Sequence, residues 1–164
     1  MKYNIQIQIR NYGNIDLELD ASVAPISVEN FIGLVQRGFY NNLTFHRIID
    51  GFMIQGGDPD GNGTGGSETR IKGEFQANGV YNPIRHVRGT ISMARSQDMN
   101  SARSQFFIVH QDSLFLDNNY AGFGKVTKGM EIVDAICKQT KVLDANGTVA
   151  KENQPIIDKI IIIN

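Results

Sequence analysis

The sequence predicts an all-β domain, a barrel or a sandwich, with two helices. Many short apolar runs keep a period of two, which is the mark of strands with one buried face. Only two windows carry the three- and four-residue spacing of an amphipathic helix. The chain is 164 residues long, the size of one domain built on one core. Pattern alone does not choose between barrel and sandwich.

Taken in order, Ile5, Ile7 and Ile9 alternate with glutamines, and Ile15, Leu17 and Leu19 with acidic residues. With Asn11-Tyr12-Gly13-Asn14 between them, the two runs form an antiparallel hairpin. Pro25 suits a first helical turn. Val28, Phe31, Ile32 and Val35 follow at helical spacing, and Gly38 suits the C-terminal cap, so a helix is expected over 25–37. A second hairpin is expected over 44–56, around Asp50-Gly51. Residues 56–66 hold six glycines and must be loop. Residues 67–87 lack a period and read as an extended connection that packs back through Ile71, Phe75 and Tyr81. Strands are expected at 90–94, 105–109 and 122–126, a polar loop at 95–103, and an irregular turn presenting Leu114, Phe115 and Leu116. A second helix over 129–138 would bury Met130, Val133, Ile136 and Cys137, and a last strand would run from 156 to 163. No repeat or domain linker interrupts the chain, which reads as a single domain over 1–164.

The formal charge is −1 and the pI about 6.3, so no field favours nucleic acid or an anionic membrane. The one cysteine, Cys137, excludes an internal disulfide and fits a reducing compartment. No run approaches the ~20 apolar residues that span a bilayer. The first residues, Met1-Lys2-Tyr3-Asn4-Ile5-Gln6, do not read as a secretory leader. The expected location is the cytoplasm.

Several apparent motifs lack the context their chemistry needs. Gly61-Asn62-Gly63-Thr64-Gly65-Gly66 matches GxGxxG, but no helix pattern follows to receive a phosphate. Asp58, Asp60, Asn62 and Gly63 start like a calcium loop, but Thr69 stands where the closing glutamate belongs. That loop reads instead as Asp and Asn side chains accepting backbone hydrogen bonds. His46, His86 and His110 show no i, i+4 pair, so no metal is expected. His46 reads as a structural histidine bonded to backbone, and Cys137 as core filler.

The stretch with the strongest chemical content is Phe45-His46-Arg47-Ile48-Ile49-Asp50-Gly51-Phe52-Met53-Ile54-Gln55-Gly56-Gly57-Asp58. If the turn keeps register, Arg47, Ile49, Met53 and Gln55 share one face. An arginine and a glutamine beside apolar side chains make a pocket with two polar fixtures, as in small-ligand and peptide sites. This block resembles the signature of the cyclophilins, the peptidyl-prolyl cis-trans isomerases. Further segments agree: Gly89-Thr90-Ile91-Ser92-Met93-Ala94, Ser104-Gln105-Phe106-Phe107-Ile108, Phe115-Leu116-Asp117 and Phe123-Gly124-Lys125-Val126. The resemblance covers nearly the whole chain and is closest to small single-domain bacterial members.

It implies a closed eight-stranded antiparallel barrel with a helix over each end, no cofactor, and isomerisation of X–Pro bonds. It implies that Arg47 is catalytic and that Phe52, Met53, Phe107 and Leu116 hold the proline. Gln55 and the main chain around Ala94 and Arg95 would hold the peptide backbone, and Phe115 and Tyr120 would form the outer wall. Adjacent residues of a strand face opposite ways, so one of Phe106 and Phe107 can be core while the other lines the pocket. The implied partners are proline-containing peptides and folded or unfolded client proteins, met by a monomer. Phe115 stands where many eukaryotic members carry tryptophan, Tyr120 where the family has histidine, and Arg95 where it has asparagine. Loss of the indole N–H predicts weakened binding of cyclosporin-type macrocycles. Two other classes remain as alternatives. One is a proline-peptide-binding or holdase module with incidental turnover. The other is a sugar- or lipid-binding barrel, which bulky interior positions and helix-closed ends disfavour.

Overall fold

A computed structural model describes residues 1–163 of the chain. Eight antiparallel strands form one sheet: β1 Lys2–Ile9, β2 Gly13–Asp20, β3 Phe45–Ile49, β4 Met53–Gly56, β5 Thr90–Met93, β6 Phe106–Val109, β7 Gly122–Lys128 and β8 Ile157–Ile162. Helix α1 spans Pro25–Gln36 and α2 spans Met130–Gln139. The ladder order is β3-β4-β6-β5-β7-β2-β1-β8. Alternation puts Ile5, Ile7, Ile15, Leu17 and Leu19 inside, all fully buried. Helix α1 lies against β2 and β8, and α2 against β2 and β4. Phe31 of α1 drives into the interior, 5.5 Å from the Phe106 ring and 5.4 Å from that of Phe123.

The expected closed ring of ladders is not formed. The sheet is an open half-barrel whose edge strands β3 and β8 share no ladder. The reason lies at the β3 edge, where the 147–149 segment takes the free backbone groups. Ile48 N–H donates to the Gly147 carbonyl at 2.8 Å and Val149 N–H to the His46 carbonyl at 3.1 Å. Contact is made where the two strands begin, with Asn42 N–H donating to the Ile157 carbonyl and Ile157 N–H to the Leu43 carbonyl, both at 2.8 Å. Thr44 bridges Ile156, and Phe45 N–H reaches the carbonyl of Pro155 at 3.0 Å.

Helix α1 ends in a Schellman motif. Phe39 N–H donates to the Leu34 carbonyl and Gly38 N–H to that of Val35, both at 3.0 Å, with Gly38 at φ +70°. Its start has no local side-chain cap. Glu74, 47 residues further on, accepts from Ser27 N–H at 2.7 Å and from the Ser27 hydroxyl at 2.8 Å. Its other oxygen accepts from Ile26 N–H at 3.1 Å. A buried carboxylate thus satisfies the orphan donors of the first turn. The 67–87 connection packs through Ile71 and Phe75 as expected, but Tyr81 is 78 % exposed. Asn82 docks that part of the loop by donating to the carbonyls of Glu74 and Gly122, both at 2.9 Å. The ring of Tyr81 is therefore left outside. Met130 is only partly buried, whereas Val133, Ile136 and Cys137 are core.

In the glycine-rich loop, buried Asp58 accepts from the backbone N–H groups of Asp60, Asn62, Gly63 and Gly65. Burial works against its charge, but these four bonds outweigh it and hold the carboxyl below the usual range.

Candidate active site

The site lies on the outer face of the sheet, and a bulge creates it. Phe45 pairs with Gly56 and Arg47 with Gln55, so His46 is one residue too many on β3. Phe45 and Ile48 are therefore both interior although three positions apart. Beyond the bulge the outer face carries Arg47 and Ile49, opposite Gln55 and Met53. The next strand continues this face, with Gln55 against Phe107 and Met53 against Val109.

Two apolar clusters result, one on each side of the sheet. Phe106 belongs to the interior cluster. Phe107 belongs to the outer one, with Met53, Val109 and Leu116, flanked by Ile49, Phe52, Ala94 and Tyr120. Phe107 is edge-on to Tyr120 at 5.9 Å. A cavity of about 110 Å³ opens here, lined by Arg47, Phe52, Met53, Gln55, Ala94, Arg95, Phe107, Leu116 and Tyr120. Of the residues singled out from the sequence, Phe115 alone is missing from this lining. It is 72 % exposed and packs its ring on Phe52 at 5.5 Å. It is thus a rim over the wall rather than the wall, because the 3-10 turn Leu114–Leu116 turns Leu116 inward and Phe115 out.

Arg47 is held on two sides. Its Nε donates to the Asn146 carbonyl at 2.9 Å and Nη2 to the Asn146 Oδ1 at 3.2 Å. Nη1 donates to Gln55 Oε1 at 3.2 Å. Gln55 Nε2 donates to Gln105 Oε1 at 2.9 Å, and Gln105 Nε2 to the Gly65 carbonyl at 2.8 Å. The guanidinium is fixed at the cavity mouth by neutral acceptors. Among the described residues no carboxylate neutralises it.

Other members of the site escaped the sequence reading. Asn146 is one, 99 residues from its partner. Arg95 was expected to act through its main chain, yet its guanidinium lies between the rings of Phe75 at 4.9 Å and Tyr120 at 4.8 Å. It also donates to the Asn119 carbonyl at 2.8 Å, bracing the segment that carries Tyr120. Beneath Phe107, the His86 ring stacks at 6.0 Å. Its Nε2 meets Ser92 Oγ at 2.8 Å and its Nδ1 meets Asp117 Oδ1 at 2.9 Å. Burial depresses the His86 pKa against the pull of Asp117. The Ser–His–Asp order imitates a hydrolytic triad, but Ser92 is fully buried and cannot meet a substrate. The three instead tie β5 to the turn that carries Leu116.

His46 departs from expectation. It is buried, yet neither ring nitrogen has a hydrogen-bond partner among the described residues. Burial lowers its pKa, with Asp58 opposing and Arg47 adding to the shift. Cys137 is core, as expected, and its thiol is pushed up to about 12 by burial, Asp50 and Asp134. Sequence spacing did not foresee that the fold brings ligand atoms of Asp50, His110 and Cys137 within 4.8 Å of one another. Both His110 nitrogens are engaged there, Nδ1 by Gly51 N–H at 2.9 Å and Nε2 by Asp134 at 3.0 Å.

The family model described as "Cyclophilin type peptidyl-prolyl cis-trans isomerase/CLD" matches residues 4–163. The chain is a cyclophilin. It is 47 % identical to peptidyl-prolyl cis-trans isomerase A of Dickeya dadantii over 76 % of this chain and 66 % of that one. With a peptidyl-prolyl cis-trans isomerase of Helicobacter pylori it shares 45 % over 82 % of this chain and 81 % of that one. With isomerase B of Bacillus subtilis it shares 43 % over 84 % and 87 %. A cyclophilin-type isomerase of Cryptosporidium parvum superposes with a TM-score of 0.87 at 31 % identity, over 100 % of this chain and 99 % of that one. The same Cryptosporidium protein was also solved in the presence of the dipeptide Ala-Pro, with a TM-score of 0.86. Peptidyl-prolyl cis-trans isomerisation is the activity of this family, so the outer cavity is the surface on which to look for it. Among the described residues no helix is long and apolar enough to cross a membrane.

Proposed function

We propose that this cyclophilin isomerises X–Pro bonds with the proline ring in the outer cavity and Arg47 at the prolyl nitrogen. The observation that carries this is the placement of a rigidly held, carboxylate-free guanidinium beside the apolar cluster of Met53, Phe107 and Leu116. The reaction breaks no covalent bond. Its barrier, roughly 18–20 kcal/mol, is the loss of amide resonance during rotation. A millisecond step requires removing roughly 7 kcal/mol of it, at ~1.4 kcal/mol per tenfold in rate. At mid-rotation the prolyl nitrogen becomes pyramidal and recovers a lone pair. A fixed donor there stabilises the twisted state more than the planar one, which is the condition for catalysis. Arginine suits this role because it stays protonated and presents a rigid fork of donors. Asn146 and Gln55 hold that fork in place before substrate arrives.

Met53, Phe107 and Leu116 grip the ring while the preceding carbonyl swings, with Phe52 and Tyr120 as walls and Phe115 as rim. Gln55 holds the peptide backbone without reading the residue before proline. The N–H of Ala94 is already given to the Gln105 carbonyl at 3.0 Å, so the main chain there offers a peptide its carbonyl. The substrates are proline-containing peptides and client proteins, in keeping with the Ala-Pro dipeptide of the Cryptosporidium neighbour. The protein works as one cytoplasmic domain and a monomer. The lone cysteine and near-neutral charge support that reading, as does one family match spanning residues 4–163.

Exchange spectroscopy on an Ala-Pro peptide, comparing wild type with Arg47→Ala, tests the mechanism. Loss of one preorganised donor is expected to cost about a hundredfold in kcat, with peptide affinity changed only a fewfold. Equal rates in the two proteins leave a proline-binding module instead.

A further inference from the structure

A second and larger cavity, of about 200 Å³, shares Gln55, Ala94 and Arg95 with the first as a common wall. Its chemistry is different. Three arginines line it, Arg70, Arg95 and Arg103, with Thr64, Ser101 and Gln105 among the polar remainder. Three of the four arginines elsewhere in the protein are neutralised. Arg10 sits on Asp158 at 2.9 Å, Arg88 on Asp134 at 2.7 Å and Arg85 on Asp117 at 3.5 Å. Around the two cavities this stops. Among the described residues neither Arg47 nor any of these three arginines has a carboxylate within salt-bridge distance.

Two of the three are fixed in place by neutral acceptors. Arg103 donates to the main-chain carbonyls of Ser67 and Gly66. Arg95 donates to those of Ser96, Gln97 and Asn119. Carbonyls orient a guanidinium without cancelling its charge. Arg70 is exposed at the rim. Asp58 and Asp60 lie behind Gly65 of the lining, and the Asp58 carboxylate is taken up by the backbone N–H groups of Asp60, Asn62, Gly63 and Gly65. A protein of net charge −1 therefore concentrates positive potential in the concavity next to its proline pocket, where low-dielectric walls focus it.

We infer that this cavity selects substrates with an acidic side chain, Asp or Glu, two or three residues from the proline. The inference rests on the isomerase reading and names the substrate class of that site. An extended peptide advances about 3.3–3.6 Å per residue, so a chain seated in the first cavity needs a residue or two to cross the shared wall. The residue next to the proline crosses the shared wall of Gln55, Ala94 and Arg95, where Gln55 and the Ala94 main chain hold its backbone and Arg95 is engaged by carbonyls and aromatic rings. The carboxylate meets fixed guanidinium groups whose fork matches its two oxygens.

The test is a set of peptides containing Ala-Pro, with Glu or its neutral isostere Gln placed two or three residues before or after the proline. Values of kcat/KM are measured by exchange spectroscopy at low salt and at 1 M salt. In one of the two directions the Glu peptide should exceed the Gln peptide by about fivefold at low salt. This preference should collapse toward one at 1 M, where the screening length falls to about 3 Å. It should be lost in Arg70→Gln/Arg103→Gln and largely kept in Arg70→Lys, each confirmed as folded by its thermal transition. A Glu-to-Gln ratio of one in both directions, with the Gln peptides still turned over, overturns the inference and leaves the isomerase reading standing. A preference that survives the double substitution places the reader elsewhere and also overturns it. Failure to turn over any peptide overturns both.

Discussion

Phe106 and Phe107 are neighbours in sequence on opposite faces of β6, and their replacement by alanine separates stability from function. Phe107 is 5 % exposed and floors the outer cavity. A phenylalanine buries roughly 150–200 Å², which at ~25 cal/mol per Å² sets an upper bound of about 4–5 kcal/mol. The space left by Phe107→Ala opens into the existing cavity and fills with water, so the expected loss is nearer ~2–3 kcal/mol. For a chain of this length that lowers Tm by about 5–10 °C. The proline ring brings three methylenes, worth ~0.8 kcal/mol each when buried. With the floor supplying about half, kcat/KM per folded molecule should fall roughly tenfold. His86 loses its cover, so its imidazole titration should move back up toward the ordinary value. Phe106→Ala instead opens a sealed void beside Phe31, Tyr40 and Phe45, whose rings lie 5.5, 5.5 and 5.9 Å away. The expected cost is about 4–5 kcal/mol, with kcat/KM per folded molecule unchanged. Thermal melts, exchange spectroscopy corrected for folded fraction, and proton NMR of the imidazoles supply the three readouts. Unaltered turnover in Phe107→Ala, or equal loss of turnover in both variants, refutes the two-faced assignment.

Other consequences are equally open to measurement. The pKa values of His46 and His86 are lowered in the folded state, so the unfolded chain binds more protons just below its ordinary histidine value. Stability is then full above about pH 6.5 and falls as the pH drops below it toward the folded values. Urea midpoints between pH 7.5 and 5 should show this, and the slope should shrink in His86→Gln. Glu74→Gln weakens the remote cap of α1 and should cost about 1–2 kcal/mol, visible as a lower Tm with Ala-Pro turnover retained. Phe115→Trp restores an indole N–H at an exposed rim position, and calorimetry should show tighter binding of a cyclosporin-type macrocycle. A wild-type complex that is already tight, and unchanged by the substitution, contradicts that expectation.

The strands, both helices and the opposed Phe106 and Phe107 were legible because each depends on local period. Residues i and i+2 report a shared face whatever the rest of the chain does. The site was legible where its members share a hairpin, as Arg47 and Gln55 do. What stayed hidden was set by topology. No local pattern says that Asn146 will hold Arg47, that Glu74 will cap α1, or that His86 will join Ser92 to Asp117. Tyr81 was misread because its segment docks through Asn82, a polar neighbour that a hydrophobic pattern does not weigh. His46 was misread because its surroundings satisfy the strand and leave the ring to itself. The closed ring failed because the groups β3 had to offer β8 were taken by residues 147–149, a competition invisible in either segment alone.

The surplus residue on β3 has a corollary for variation at this end of the gene. Remove His46, and the strand regains strict alternation. Phe45 and Arg47 then stand side by side and face opposite ways, so both keep their present sides. A single-codon insertion after Arg47, which reverses the sides of Ile48 and Ile49, should be far more harmful than this deletion. Replacing the imidazole with another side chain of similar bulk should leave the geometry of the arginine intact.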